Sequence, residues 1–143
     1  MKRFSILFIL FILFIVGFSV STKAHDKKAP SDTSGLSIEQ HLDLTMTNAE
    51  RLSVVTVTFA PNYTEPSHTH PGDEVIYVVK GEGRLWLDGK AFLLKAGDLH
   101  HVKSGSVKAI ENISSTTPLV VIAYLALEAG KPTLTLTTPG DDQ

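Results

Sequence analysis

His68-Thr69-His70 and Glu74 are the residues whose types and spacing carry chemistry in this chain. Two imidazoles at i and i+2 point to one face if their segment is a strand. Pro71-Gly72-Asp73 then turns the chain, and Glu74 opens the next apolar run. Two neutral imidazoles and a carboxylate on one wall make a three-ligand face. Such a face leaves positions open for water, oxygen or substrate, as in non-haem iron sites, and suits the divalent first-row ions Fe, Mn, Ni, Cu and Zn. A lone histidine near a loop is commonly just a solvated polar residue. Here four of the six histidines, His68, His70, His100 and His101, crowd into one stretch, which favours the ligand reading. Glu74 is also a candidate proton acceptor.

Strands must position these groups. Leu52–Phe59 is β-branched and roughly alternating, and Pro61-Asn62 stops it. Val75–Val79 is a short apolar run ended by Gly81-Glu82-Gly83. Leu85–Leu87 and Ala91–Leu94 flank Asp88-Gly89, a strong hairpin signal. Further strands are expected at Leu99–Val102, Val107–Ile113 and Leu119–Leu127, with an alternating edge segment at Thr133–Thr137. Nothing after residue 50 holds a helical period. Short strands at this close spacing predict an all-β sandwich or barrel.

The first 24 residues are expected to be a signal peptide. Lys2 and Arg3 precede an apolar run from Phe4 to Val20, and Ser21-Thr22-Lys23-Ala24 supplies a small-residue exit. The rival reading is an uncleaved anchor, but the run is only about 17 residues, near the lower limit for a membrane span. Cleavage after Ala24 predicts a periplasmic or secreted protein with no stable membrane span. The remainder carries ten Lys and Arg against fifteen Asp and Glu, net −5, which argues against a nucleic-acid partner. With no cysteine, the domain stands on its core without disulfides, and thiolate chemistry is excluded.

The stretch from His68 to Gly81 resembles the cupin family. It matches that family's first motif, H-x-H-x3-E-x6-G, at every fixed position, and the Asp88-Gly89 hairpin is similar to the one that comes after this motif in cupins. The likeness is strongest to small exported single-domain cupins, which end in a segment like Gly130-Lys131-Pro132. It implies a double-stranded β-helix (jelly-roll) barrel with a metal inside. The expected organisation is then a signal peptide at 1–24, a flexible linker leading into the barrel at 25–45, the barrel domain at 46–138 and a tail at 139–143.

The family's second motif, G-x5-P-x-G-x2-H-x3-N, supplies a fourth ligand through its His. One register places Gly89, Lys95, Gly97, His100 and Ser104 at the fixed positions; another places Gly97, Lys103, Gly105, Lys108 and Asn112 there. Each keeps three of the five. Strand length favours the second. The chain between Gly81 and Gly89 is too short for a hairpin of strands about five residues long, whereas Arg84–Leu94 supplies one ahead of Gly97. Lys108 then stands in the fourth-ligand place, and a protonated lysine has no lone pair to give. Three arrangements stay open. His68, His70 and Glu74 hold a metal alone; His100 or His101 completes the set; or the metal is lost and Lys108 pairs with Glu74. Lys108 is also open as a rim residue or as a catalytic base with a lowered pKa.

Fold does not fix function in such a family. The leading expectation is a metal-dependent protein acting on a small molecule, of oxygenase-like type. The alternative is a metal-free ligand-binding or structural module. The resemblance also admits a homodimer paired through edge strands.

Overall fold

The computed structural model describes residues 35–48 and 50–137. The signal-like segment, residues 25–34 of the linker and the tail at 139–143 lie outside the described residues.

Ten strands form two five-stranded antiparallel sheets. Sheet A is built from β1 (Leu36–Thr45), β2 (Glu50–Phe59), β4 (Gly72–Lys80), β7 (Leu99–Val102) and β9 (Leu119–Glu128), in the order β1-β2-β9-β4-β7. Sheet B is built from β3 (His68–Thr69), β5 (Glu82–Leu87), β6 (Lys90–Lys95), β8 (Lys108–Asn112) and β10 (Thr135–Leu136), in the order β10-β3-β8-β5-β6. This is the all-β jelly roll expected from the sequence. Among the described residues, no helix is long and apolar enough to cross a membrane.

Alternation decides what each strand turns inward. Along β9, Leu119, Val121, Ala123, Leu125 and Leu127 are buried, while Tyr124 faces out. The inner residues of the two sheets meet in a solid core at one end, formed by Phe59, Ile76, Val78, Leu85, Leu94, Val102, Ile110, Leu119 and Val121. At Asp88-Gly89 both residues have positive φ, 48° and 73°, which fits the two-residue turn between β5 and β6. Gly81, the fixed glycine that ends the first motif, has φ 88° and no room for a side chain. A Cβ there would lie 2.7 Å from the Pro118 carbonyl oxygen.

Residues 36–45, within the segment read as linker and barrel entry, form β1 and pair with β2 along its length. Leu36, Ile38, Leu42 and Leu44 alternate as a strand should, so the signal was present. The register slips between Gln40 and Leu42, so a bulge at His41 changes the face that the later residues present.

Candidate metal centre and ligand cavity

The first motif is folded so that its three polar groups share one interior. His68 on β3 pairs in register with Lys108 on β8, and both are buried at 4% exposure. Glu74 faces them from sheet A, where it pairs with Leu125 on β9 and is 3% exposed. A Cβ at Gly72 would lie 2.0 Å from the Ala126 carbonyl oxygen, so this glycine lets the start of β4 lie tight against β9 two residues before Glu74. His70, just past β3, is buried beside them.

Each imidazole is held by its Nδ1. His68 Nδ1–H donates to the Pro66 carbonyl at 3.0 Å, and His70 Nδ1–H donates to the Thr133 carbonyl at 2.6 Å. A carbonyl only accepts, so the ring proton of each neutral histidine sits on Nδ1 and the Nε2 lone pair is free. Those two Nε2 atoms face each other 3.1 Å apart. Both rings favour the neutral state. Burial, and then the Lys108 charge, push His68 down to about 4, against the pull of the Pro66 carbonyl. Burial also lowers His70, with Glu74 opposing. Two lone pairs at this distance cannot bond to each other; they call for a cation between them.

Glu74 supplies the third donor. Its Oε2 lies 3.7 Å from His70 Nε2 and 3.2 Å from Lys108 Nζ. The contact with Lys108 is an ion pair without hydrogen-bond alignment, so this buried oxygen has no hydrogen-bond donor. Donors about 2.1 Å from one ion sit roughly 3.0–3.4 Å apart at octahedral to tetrahedral angles. The His68–His70 separation of 3.1 Å falls within that range, and the His70–Glu74 separation of 3.7 Å lies just beyond it. Drawn towards Lys108, Glu74 does not close the set, and no three His, Cys, Asp or Glu side chains are already gathered round one point among the described residues. The donor chemistry fits a divalent ion, with Lys108 competing for the carboxylate.

Lys108 is not a rim residue. It is enclosed between two carboxylates, with Nζ 3.5 Å from Glu65 Oε1 as well as 3.2 Å from Glu74 Oε2. Burial pulls its pKa down, but Glu65 and Glu74 more than offset that, so it lies above the ordinary lysine value. A base with a lowered pKa is therefore corrected to a fixed ammonium. Glu65 was not expected at the site. Its N–H donates to the Ile110 carbonyl at 3.0 Å, and its Oε1 accepts from the Ile110 N–H at 2.9 Å, so it bridges onto β8 like a strand residue. Burial holds its carboxyl above the usual range, with the Lys108 charge opposing. No period marks Glu65 in the sequence, because it lies in an irregular segment next to Pro66.

The β7 histidines stand elsewhere. His101 pairs with the exposed Asp73 carboxylate at 2.8 Å. His100 lies opposite Ile76, with its ring 6.2 Å from that of Phe92. The expected β5–β6 hairpin lies between Gly81 and Gly97, and Lys108 and Asn112 both face the interior, as the second register requires.

The cluster lines one side of a cavity of about 180 Å³. Its other walls are mostly apolar: Leu36 and Ile38 from β1, Val55 and Val57 from β2, Ala123 and Leu125 from β9, and Leu134. A second hollow of about 300 Å³ opens beside Trp86 and Gly89, and Glu65 and Lys108 line both. The Glu65–Lys108 pair is thus the partition between them.

A family model for the cupin domain matches residues 55–125. No curated protein matches the sequence. Among solved structures, a Klebsiella pneumoniae protein with a double-stranded β-helix domain superposes with a TM-score of 0.64 at 21% identity, covering 78% of this chain and 91% of that one. Bacillus subtilis oxalate decarboxylase, whose centres hold Mn(II), gives 0.62 at 24% identity, covering 76% of this chain but only 30% of that one. A predicted oxalate decarboxylase from Thermotoga maritima gives 0.57 at 30% identity, covering 64% of this chain and 80% of that one. With the intact first motif, the two facing sheets and the family match across the core strands, this chain belongs to the cupin superfamily.

Proposed function

We propose that this is an exported cupin, periplasmic or secreted, that binds a divalent first-row metal through His68, His70 and Glu74 and acts on a small carboxylate in the adjoining cavity. The observation that carries the reading is the pair of neutral imidazoles, each anchored through Nδ1, with opposed Nε2 lone pairs 3.1 Å apart. The metal-dependent decarboxylase among the similar structures supports a carboxylate as substrate and Mn as one candidate ion.

When bound, the metal supplies a Lewis acid that polarises a ligand oxygen and, for Fe or Mn, a route to oxygen chemistry. The chain's own residues do the rest. The Pro66 and Thr133 carbonyls fix both rings with Nε2 inward. Lys108 offsets the Glu65 and Glu74 carboxylates, so that with a divalent ion bound this end of the cavity would carry the positive charge that draws an anionic group. Glu74 is ligand and proton acceptor in turn. The apolar walls exclude water from the reacting end and strengthen each of these charges.

Elemental analysis of protein purified without a metal-chelating tag, before and after reconstitution, tests the reading. About one equivalent of Fe, Mn, Ni, Cu or Zn is expected, and His68→Ala or His70→Ala should weaken binding about a hundredfold. Wild-type protein that retains none of the five metals after reconstitution would overturn it.

The Lys108–Glu74 contact favours a second reading, a metal-free ligand-binding module in which the ammonium replaces the ion. Lys108→His discriminates. A large gain in metal affinity over an empty wild type supports the metal-free module, whereas a modest gain over a loaded wild type supports the metal site.

A further inference from the structure

The cavity has a second polar spot, on the wall away from the cluster. On β1 and β2 the inward positions read Leu36, Ile38 and Gln40 against Phe59, Val57 and Val55, and then Ser53. Gln40 and Ser53 both line the cavity, and Ser53 is 2% exposed. Gln40 Nε2 faces three acceptors that share its two N–H groups, the Leu42 carbonyl, Ser53 Oγ at 3.0 Å and the Val54 carbonyl at 3.2 Å. Carbonyls only accept, so these contacts fix which end of the amide is nitrogen. The nitrogen is engaged at the bulge, and the amide oxygen is what Gln40 can offer a ligand. Ser53 Oγ already accepts from Gln40, so its hydroxyl proton is what Ser53 can offer. One acceptor and one donor side by side match an alcohol, which gives a proton to the first and takes one from the second.

The register sets the distance. Ser53 pairs with Leu125, and Leu125 pairs with Glu74, so the two polar ends flank one apolar rung. Two strand spacings separate their Cα atoms by roughly 10 Å, and the inward side chains shorten the gap a ligand must span. A cavity of about 180 Å³ suits a ligand of about seven non-hydrogen atoms, since an engineered cavity of roughly 150 Å³ holds benzene.

We propose that Gln40 and Ser53 form a hydroxyl-recognition subsite, so that the preferred ligand is a small hydroxy acid with its carboxylate at the His68, His70 and Lys108 end. This rests on the reading of that end as the metal-binding, anion-binding pole.

Calorimetric titration of purified, metal-loaded protein with two probes of equal size tests it. 4-Hydroxybutyrate carries the alcohol; pentanoate has a methyl group in its place. Wild type should bind the hydroxy acid about tenfold more tightly. Ser53→Ala should bring the ratio to about one while leaving pentanoate affinity unchanged, and Gln40→Met should do the same if the first variant does not fold. A wild-type ratio near one, or a preference that survives both substitutions, would show that the pair only fastens the bulge; those variants would then lose melting temperature alone. Binding of neither probe would also overturn the hydroxy-acid class. The metal content of the same samples separates that failure from failure of the metal reading.

Discussion

Strand β8 carries two buried polar side chains four residues apart, Asn112 and Lys108, in opposite conditions. Asn112 is saturated. Its Nδ2 lies 3.0 Å from the Phe59 carbonyl, 3.0 Å from that of Ala60 and 2.9 Å from that of Thr117, and its Oδ1 accepts from the Ser114 N–H at 3.0 Å. It sits at the solid end of the sandwich and ties the end of β2 to the turn after β8. Lys108 sits at the hollow end, between two carboxylates, beside an undonated Glu74 oxygen and two opposed imidazole lone pairs. One strand thus carries a closed polar knot and an open polar cluster. A closed knot specifies structure, because every partner is internal. An open cluster costs stability, which points to a partner from outside.

Breaking the knot should have the largest effect. Asn112→Ala removes the amide that ties the buried Phe59 carbonyl to those of Ala60 and Thr117 and leaves a void at a fully buried site, and about 4 kcal/mol of stability should be lost in urea denaturation. Metal bound per folded molecule should not change. A proportionate loss of metal from the folded fraction would mean that the two ends are not independent.

Removing Lys108 should cost slightly less, and reversibly. Lys108→Met leaves Glu65 and Glu74 buried without their cation, a loss of about 3 kcal/mol in chelator-treated protein. Saturating Mn or Zn should restore most of it, because the metal replaces the missing charge. Thermal melts with and without metal read this directly. A loss that metal does not repair would make Lys108 as structural as Asn112.

These two residues also show what the sequence makes legible. The first motif can be read because strand alternation converts His-x-His into one face, and the motif's glycine marks the turn. The second motif can be read only through strand length, since its ligand is replaced by Lys108. Glu65 is invisible, because its place comes from pairing with Ile110 across sheet B and no local pattern encodes that. In β1, the alternation of Leu36, Ile38, Leu42 and Leu44 is plain, but it follows a polar stretch, and the bulge at His41 hides that Gln40 ends the inward face.

Acid should separate the ends further. In metal-free protein burial, and then the Lys108 charge, push His68 down to about 4 from its ordinary 6.5, so the fold favours the neutral ring. That contribution is fully present above about pH 6.5 and is lost as pH falls through the window from 6.5 to 4, about 3 kcal/mol in all. His70 shifts in the same direction, while the raised Glu65 carboxyl acts with the opposite sign. The measurement is therefore the difference between wild type and His68→Phe. Wild type should fall by about 3 kcal/mol relative to His68→Phe between pH 6.5 and 4, and parallel curves would remove the buried neutral ring from the account.

The smallest effect should come from the surface that supports the open end. Arg51 makes two contacts with Asp43, at 2.6 and 2.7 Å, and its Nη1 donates to Thr133 Oγ1 at 3.0 Å. Thr133 in turn gives its carbonyl to His70 Nδ1. The ion pair lies at the surface and is partly solvent-screened, so Arg51→Ala should cost only about 0.5 kcal/mol of stability. It should nonetheless weaken metal binding about threefold, because Thr133 loses the contact that holds its carbonyl under the His70 ring. Thr133→Val removes the same hydroxyl and should match that loss of affinity without touching the Asp43 pair. If Arg51→Ala lowers stability and leaves affinity unchanged, the Thr133 carbonyl is held by the backbone alone, and the organised shell of the open cluster ends at that carbonyl.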